Sequence, residues 1–350
     1  MSTTTPEPQA PPARGTITLL DGGTGEELFR RGVPDDRRIW SARALVEERY
    51  HEIVREAHEA FILAGSQTIT ANNYAVTPGV GLIDRLEELT ALAGRLAVEA
   101  RDRAGRAGVR VCGSLPPLVE SYRPDLVLPR DQAAPLYERI ARALGSSADV
   151  FLAETLSSID EALSAVEGAR AADAEKEIWV SWTLGGDGRL RSGEPATMAA
   201  ERLIAEGASA ILFNCSEPEA ILIALAELQG AAGVVAARRA GRVRLGAYAN
   251  RLTPVAADFA MAETTAPQGM RGDLDPGRYA DFAAQWVALG AELVGGCCGI
   301  GPEYIRELGR PVLRTLNQGP AAPTLPMVAT PGFSAGRLAT NPGGTWGTQD

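Results

Sequence analysis

Eight short runs rich in β-branched and other apolar residues constrain the fold of this 350-residue chain most strongly. Each run is followed by a segment of helical length that is rich in Ala, Leu, Glu and Arg. Strands that alternate with helices pair in parallel through crossover connections, and eight such units are typical of a closed barrel. The predicted strands are Thr16 to Asp21, Gln67 to Asn72, Val109 to Ser114, Asp149 to Glu154, Ile178 to Leu184, Ala208 to Cys215, Val243 to Asn250 and Glu292 to Gly296.

The alternation predicts an α/β fold, a single (β/α)8 TIM barrel over residues 15–317. An open doubly wound sheet is the alternative, but that fold does not require eight strands. The spacing of Gly22, Gly23 and Gly25 also differs from that of the dinucleotide-binding fingerprint. We predict a disordered head over residues 1–14. Residues 318–350, rich in Pro, Gly, Thr and Ala, are predicted to form an irregular tail or an arm laid on a partner.

Charge and hydropathy exclude several function classes. The formal net charge is −10 and the pI is about 5.0, so the chain lacks the basic surface of a protein that binds nucleic acid or an anionic membrane. The sequence contains no apolar run of about 18 residues and no hydrophobic signal core near Met1. We therefore expect a cytoplasmic protein that acts on small molecules.

Lysine and histidine offer few candidates for catalysis. Lys176 is the only lysine, and its polar surroundings do not fit a Schiff-base lysine or a phosphate-loop lysine. His51 and His58 are seven residues apart on one predicted helix, which separates them by roughly 10.5 Å along its axis. They cannot share one metal ion, and both are predicted to be ordinary residues of the helix surface.

Two adjacent cysteines, Cys297 and Cys298, follow the last predicted strand and are flanked by glycines on both sides. Glycine lets the backbone adopt tight conformations in which both sulfurs face one point. Cys215 ends the sixth run and can supply a third thiol at a strand end. Catalytic zinc typically has three protein ligands and one open position, and adjacent cysteines in a reducing compartment favour metal binding or catalysis over a disulfide framework. The alternatives are small buried residues or a redox pair.

Polar residues end most of the predicted strands. In a (β/α)8 barrel these positions line one mouth, where the active sites of this fold are built. Each residue alone could be a loop cap or a hydrogen-bonded turn residue, but the set is chemically coherent. It contains Asp21 with Gly22 and Gly23, Asn72 to Tyr74, Ser114, Glu154 with Thr155, Asn214 with Cys215, Tyr248 with Asn250, and Cys297 with Cys298.

Taken together, these residues resemble the homocysteine S-methyltransferase family of zinc-dependent thiol and selenol methyltransferases. The resemblance covers roughly residues 15–315. Its most specific part is the separated Cys215 with the adjacent Cys297 and Cys298. The other matching segments are Leu19 to Gly25, Trp40 to Ala42, Thr70 to Tyr74, Ala153 to Thr155, Asn214 with Cys215, and Gly295 to Gly299.

The resemblance implies a role for each matching residue. Cys215, Cys297 and Cys298 would be the zinc ligands. Asp21 and Glu154 would bind the amino group of homocysteine, and the backbone of Gly22 and Gly23 would bind its carboxylate. Trp40 and Tyr74 would lie near the site of methyl transfer, and we also assign Asn214 and Asn250 to substrate binding. A zwitterionic amino acid does require carboxylates for its ammonium group and free N–H groups for its carboxylate.

The implied reaction moves a methyl group from an onium donor, such as S-methylmethionine or S-adenosylmethionine, to the thiolate of L-homocysteine, which gives methionine. Zinc coordination deprotonates the acceptor thiol, so no protein general base is expected. Thr155 stands where the betaine enzymes have tyrosine, and Ala249 replaces a common proline, which leaves the donor open. The alternatives are a zinc hydrolase and a non-catalytic thiol redox or metal sensor.

Overall fold

The computed structural model describes residues 16–256, 259–260 and 269–318, with side chains as far as residue 310. The predicted head over residues 1–14 lies outside the described residues. The same is true of the predicted tail beyond Gln318, which is the last residue of the last helix.

The prediction of a (β/α)8 barrel is confirmed, because eight parallel strands form one sheet and each overlaps one of the predicted runs. The order around the sheet is β1-β8-β7-β6-β5-β4-β3-β2, which places the first and second strands at the two edges of a nearly closed barrel. The strands are β1 Thr18–Leu19, β2 Thr68–Thr70, β3 Arg110–Leu115, β4 Val150–Leu156, β5 Glu177–Trp182, β6 Ala210–Asn214, β7 Arg244–Tyr248 and β8 Ala291–Val294.

Helices connect each strand to the next along the chain. The helices are α1 Thr24–Arg30, α2 Arg43–Val46, α3 His51–Ala64, α4 Leu86–Ala104, α5 Arg130–Leu144, α6 Ile159–Ala172, α7 Ala196–Ala205, α8 Pro218–Leu228, α9 Ala232–Arg239, α10 Pro276–Ala288 and α11 Pro302–Gln318. Within the described ranges no single helix is long and apolar enough to cross a membrane. Only α8 and α9 taken together reach that length and apolar character, and the pair is bent by 82° at the break between the two helices.

Side chains help to close the barrel between β1 and β2. Gln67 donates from its backbone N–H to Leu19 O at 2.7 Å, and its side-chain oxygen accepts from Leu19 N at 3.1 Å. Nearer the mouth, the Asp21 carboxylate accepts from the backbone N–H of Thr70 at 2.7 Å. Asp21 therefore bridges the edge strands at the point where regular strand pairing is absent.

Two hydrophobic cores support this frame. The larger core fills the layer between the sheet and the helices and includes the fully buried Phe61, Tyr137 and Trp286. The smaller core fills the barrel interior below the mouth and includes Cys112 and Trp179. A filled interior leaves the mouth as the place for a ligand site.

His58 corrects one prediction, because its side chain is fully buried in α3 and does not lie on the helix surface. Neither ring nitrogen has a hydrogen-bond partner among the described residues. Burial lowers the pKa of His58 to about 4, because the charged imidazolium would be desolvated there. His51, the first residue of α3, is half-buried, and its Nε2 lies 3.0 Å from Leu45 O.

We expect His58 to make the free energy of unfolding depend on pH. Because its pKa in the folded state (about 4) lies below the ordinary value of 6.5, the unfolded state binds more protons between these values. The stability is therefore complete above about pH 6.5 and is lost as the pH falls towards 4. Between pH 7.5 and pH 5, His58→Leu should lose about 2 kcal/mol less stability than the wild type does. Urea unfolding at both pH values, with His51→Gln as the control, measures this; equal losses in all three proteins would contradict it.

Candidate active site

A cavity of about 150 Å³ opens at the carboxyl ends of the strands. The residues that line it come from the carboxyl ends of β2, β4 and β7, from the segments that follow β1, β2, β3, β6, β7 and β8, and from α1. Four non-glycine residues in the described part of the chain have a positive φ, and all four line this cavity. They are Trp40 (φ 39°), Tyr122 (φ 65°), Thr155 (φ 59°) and Cys215 (φ 48°). Strained backbone of this kind is typical of functional sites.

Three cysteines meet at the wall of the cavity. The Cys297 thiol lies 2.8 Å from Cys215 Sγ, and the Cys298 thiol lies 3.6 Å from the same sulfur. All three sulfurs lie within 4.8 Å of one another, and no other such group of potential metal ligands occurs within the described ranges. The fourth cysteine, Cys112, is buried in the barrel interior as a free thiol.

Glycines in the loop after β1 and in the loop after β8 let these two loops approach closely. A Cβ atom on Gly22 would lie 2.1 Å from Ile300 O, and a Cβ atom on Gly23 would lie 2.8 Å from Cys297 O. On the other side of the contact, a Cβ atom on Gly295 would lie 2.5 Å from Leu20 Cβ. The loop after β8 therefore packs directly on the loop after β1, and a side chain at any of these glycines would push the two loops apart.

The cysteine cluster favours one negative charge. Hydrogen bonds from the Cys297 and Cys298 thiols hold the pKa of Cys215 well below its usual value, whereas the same contacts raise the pKa values of Cys297 and Cys298. Three thiols at one point are the donor set of a soft metal ion, and three protein ligands leave one tetrahedral position open. Two sulfurs that share a zinc ion with Zn–S bonds of about 2.3 Å lie ~3.8 Å apart. The 3.6 Å between Cys215 and Cys298 is close to this distance, whereas the 2.8 Å between Cys215 and Cys297 would have to widen by about 1 Å when zinc binds.

Asp21 and Glu154 form an acidic pair beside the cysteines, and both line the cavity. Glu154 accepts from Ser114 Oγ at 2.6 Å and from the Tyr248 hydroxyl at 3.3 Å. Burial raises the pKa of Asp21 to about 8 and that of Glu154 to about 7, and the charge of Glu154 contributes to the rise at Asp21. A ligand that brings a positive charge between the two carboxylates would offset this cost.

Aromatic side chains form another part of the cavity lining, the aromatic wall of Trp40, Tyr74, Tyr122 and Phe259. The rings of Trp40 and Tyr74 pack edge to face, with centroids 5.9 Å apart at an interplanar angle of 77°. The Tyr74 hydroxyl is 2.8 Å from Ser121 Oγ, which fixes the ring. Tyr122 and Phe259 form a second edge-to-face pair, with centroids 5.6 Å apart, that lines the same space.

Three of the residues predicted to bind substrate instead form hydrogen bonds with other groups of the protein. Asn214 is fully buried and does not line the cavity; its side chain accepts from Thr155 N at 2.9 Å and donates towards Cys297 Sγ at 3.9 Å. Asn250 is also buried outside the lining, where its side-chain oxygen accepts from Leu252 N. The Gly23 N–H donates to Ile300 O at 2.9 Å, whereas the Gly22 N–H has no partner among the described residues.

Sequence reasoning missed several residues of the lining, among them Glu26, Arg37, Tyr122 and Phe259. Glu26 resembles an ordinary acidic residue in the first turn of a helix, although it lies beside Cys298 and burial raises its pKa to about 7. Tyr122 and Phe259 lie in irregular segments beyond the strand ends. Those segments have no period that would reveal which side chains turn inward.

Comparison with known proteins agrees with this geometry. Residues 18–312 match the model of the family described as homocysteine S-methyltransferase. The homocysteine S-methyltransferase of Escherichia coli strain K12 is 29% identical over 310 residues, which cover 83% of this chain and 94% of that protein. The betaine–homocysteine S-methyltransferase 1 of Mus musculus is 24% identical, over 84% of this chain and 72% of that protein.

A solved structure gives the same result. The metallated form of the homocysteine methyltransferase MmuM from Escherichia coli superposes with a TM-score of 0.69 at 27% identity, over 85% of this chain and 97% of that one. With the family model matched from the first strand to the last helix, this chain belongs to the homocysteine S-methyltransferase family.

Proposed function

We propose that the protein is a zinc-dependent S-methyltransferase that moves a methyl group from an onium donor to the thiolate of L-homocysteine, giving methionine. The observation that carries this proposal is that the cysteine cluster and the acidic pair line one cavity. The acceptor needs both, because its thiol must be activated and its ammonium group must be bound. Membership of the family supports the same assignment.

Cys215, Cys297 and Cys298 would hold the zinc ion. When bound, zinc supplies the positive charge that lets a thiol with an ordinary pKa near 8.5 react as a thiolate at neutral pH. Asp21 and Glu154 hold the ammonium group of the acceptor, and the Tyr248 hydroxyl and Ser114 keep Glu154 in place. The Gly22 N–H is available to the acceptor carboxylate.

The donor would approach from the aromatic wall. Onium groups favour aromatic faces, and contacts with Trp40 and Tyr74 would be worth about 0.5 to 2 kcal/mol each. In the reaction the acceptor sulfur forms a bond with the methyl carbon. The bond from that carbon to the donor heteroatom breaks, and its electron pair stays on the heteroatom, which becomes neutral. This step requires no proton transfer from the protein.

A donor screen tests the proposal. Protein purified under reducing conditions would be assayed for methionine with homocysteine and each of S-methylmethionine, S-adenosylmethionine, betaine and dimethylsulfoniopropionate. We expect about one zinc ion per chain and methionine from at least one donor. A chelator should abolish the activity and added zinc should restore it. A zinc-loaded protein that forms methionine from none of the four donors would contradict the proposal, and hydrolysis of a donor would favour the hydrolase alternative.

A further inference from the structure

One buried hydroxyl group bonds to two of the loops that shape the cysteine cluster, and it has no role in the reaction described above. Tyr279 lies near the start of α10, and its side chain is fully buried. Its hydroxyl donates to Gly295 O at 2.8 Å and to Ala249 O at 3.0 Å, sharing one proton between them. Gly295 directly follows β8, and Ala249 directly follows β7. Tyr279 therefore ties together the chain segments that leave these two strands at the mouth.

The Ala249 carbonyl also binds the backbone of a cysteine. Cys297 N–H donates to Ala249 O at 2.8 Å, and Arg251 N–H donates to Cys298 O at 2.9 Å. These bonds extend the pairing of β7 with β8 past the ends of both strands, as far as the two adjacent cysteines. One shared carbonyl therefore separates the Tyr279 hydroxyl from the backbone of Cys297.

The segment that carries the adjacent cysteines has little conformational preference of its own. Positions 295, 296 and 299 are glycines, and Gly299 has a φ of 78°. Glycine loses more conformational freedom on folding than any other residue, so a segment with three glycines needs outside contacts to hold one arrangement. The Tyr279 hydroxyl supplies such a contact at Gly295, two residues before Cys297.

The ring of Tyr279 is itself held in place. It packs edge to face on Trp286, with centroids 5.6 Å apart, and on Tyr304, with centroids 5.8 Å apart. Trp286 Nε1 donates to Pro218 O at 3.3 Å, and the Tyr304 hydroxyl donates to Leu274 O at 2.8 Å. All three rings are buried in the larger core. The Tyr279 hydroxyl therefore reaches the two loops from a fixed aromatic cluster.

We propose that Tyr279 is a positioning residue for the metal site, whose hydroxyl holds the loops after β7 and β8 so that Cys297 and Cys298 face Cys215. The inference rests on the proposed function, because it takes the three cysteines as the zinc ligands. Groups that orient metal ligands from outside the coordination sphere contribute to metal affinity. Tyr279 acts in this way through backbone carbonyls, and the arrangement that it holds does not depend on the metal.

Two tyrosine-to-phenylalanine variants test this. Tyr279→Phe removes only the hydroxyl that bonds to Gly295 O and Ala249 O. Tyr304→Phe is the control, because it deletes another buried hydroxyl, from the neighbouring ring, whose acceptor Leu274 O lies shortly before α10 and in neither cysteine-bearing segment. Zinc affinity is measured by competition with a chelator, and the stability of each metal-free protein is measured by urea unfolding.

We expect Tyr279→Phe to weaken zinc binding about 10- to 100-fold, the range typical of removing a group that supports a metal ligand, and Tyr304→Phe to bind zinc within about twofold of wild type. Both metal-free variants should lose stability to urea to a similar extent, because each loses one buried hydrogen bond. At saturating zinc Tyr279→Phe should keep most of its kcat, because all three cysteines are present.

Amide hydrogen exchange of the metal-free proteins is a second measurement, and it needs no variant to begin with. In the wild type we expect the Cys297 amide to be protected, as the amides of β8 are, because its bond to Ala249 O is held without the metal. A loss of zinc affinity of about 10- to 100-fold means that the binding-competent arrangement is populated only about 1 to 10% of the time. The Cys297 amide of metal-free Tyr279→Phe should therefore exchange almost without protection.

The assignment of Tyr279 would be overturned by wild-type zinc affinity in Tyr279→Phe, by an equal loss of affinity in Tyr304→Phe, or by an unprotected Cys297 amide in the metal-free wild type. If Tyr279→Phe did not fold, the exchange of the wild type would decide. Failure of the proposed function is a different result. A wild type that binds zinc but forms methionine from no donor would leave the role of Tyr279 intact, whereas a wild type that binds no zinc would remove both.

Discussion

Replacing any one of Cys215, Cys297 and Cys298 with alanine is expected to remove most of the bound zinc and most of the methyl transfer. Two thiols would remain of a three-thiol site, and the loss of a direct ligand should exceed the ~10- to 100-fold cost in metal affinity that is typical of removing a supporting residue. Zinc content by elemental analysis and the rate of methionine formation measure the two effects. The circular dichroism spectrum should be that of the wild type, because the three cysteines follow the ends of β6 and β8 and lie outside the strands and helices.

Cys112→Ala is the matched control for these variants. Cys112 packs in the barrel interior, and burial raises the pKa of its thiol, so it stays protonated and takes no part in the cluster. This variant should keep its zinc and its activity and lose stability on the order of 1 kcal/mol for the small cavity created. If Cys112→Ala lost its zinc while Cys215→Ala retained it, the assignment of the ligands would be wrong.

The second large effect is expected at the acidic pair. Asp21→Asn and Glu154→Gln should each raise the KM for homocysteine about 10- to 100-fold, because each removes a charge-assisted contact to the ammonium group worth about 1.5 to 3 kcal/mol. The zinc content should stay close to one per chain in both variants. Asparagine at position 21 keeps an oxygen that can accept from Thr70 N, so the contact between β1 and β2 survives.

Asp187→Asn is the control for this pair. Asp187 is an exposed acid, 67% accessible, in the loop after β5 and does not line the cavity. Its loss should leave the homocysteine KM unchanged, which separates a local contact from a change in the net charge of the mouth. An unchanged homocysteine KM in both Asp21→Asn and Glu154→Gln would remove these residues from acceptor binding.

The strands could be predicted from sequence because each is a compact apolar run between polar segments, and a barrel then places their ends at one mouth. That rule alone brings Asp21, Glu154, Cys215 and Cys297 together, although they are far apart in the chain. The structure adds that Cys215 and Thr155 have positive φ and that Asn214 bridges Thr155 and the Cys297 thiol. Such backbone strain and side-chain bridges depend on tertiary packing, which no local pattern encodes.

Glu26 and Arg37 could not be predicted as cavity residues for one physical reason. Glu26 and Arg37 are charged residues in segments that look solvated, and only the packing of the loops after β1 and β8 makes them part of a cavity. His58 was wrongly predicted as a surface residue for the opposite reason. A helix between a sheet and other helices can bury a polar residue on an otherwise apolar face, and its single position carries no periodic signal.

The central claim is that the acceptor sulfur joins a zinc ion held by the three cysteines. Zinc X-ray absorption, recorded for the zinc-loaded protein with and without saturating homocysteine, counts the sulfur atoms around the metal. We predict that the number of sulfur neighbours rises from three, supplied by Cys215, Cys297 and Cys298, to four when homocysteine binds. A spectrum that keeps three sulfur neighbours under saturating homocysteine would mean that zinc does not activate the acceptor, and the proposed mechanism would be contradicted.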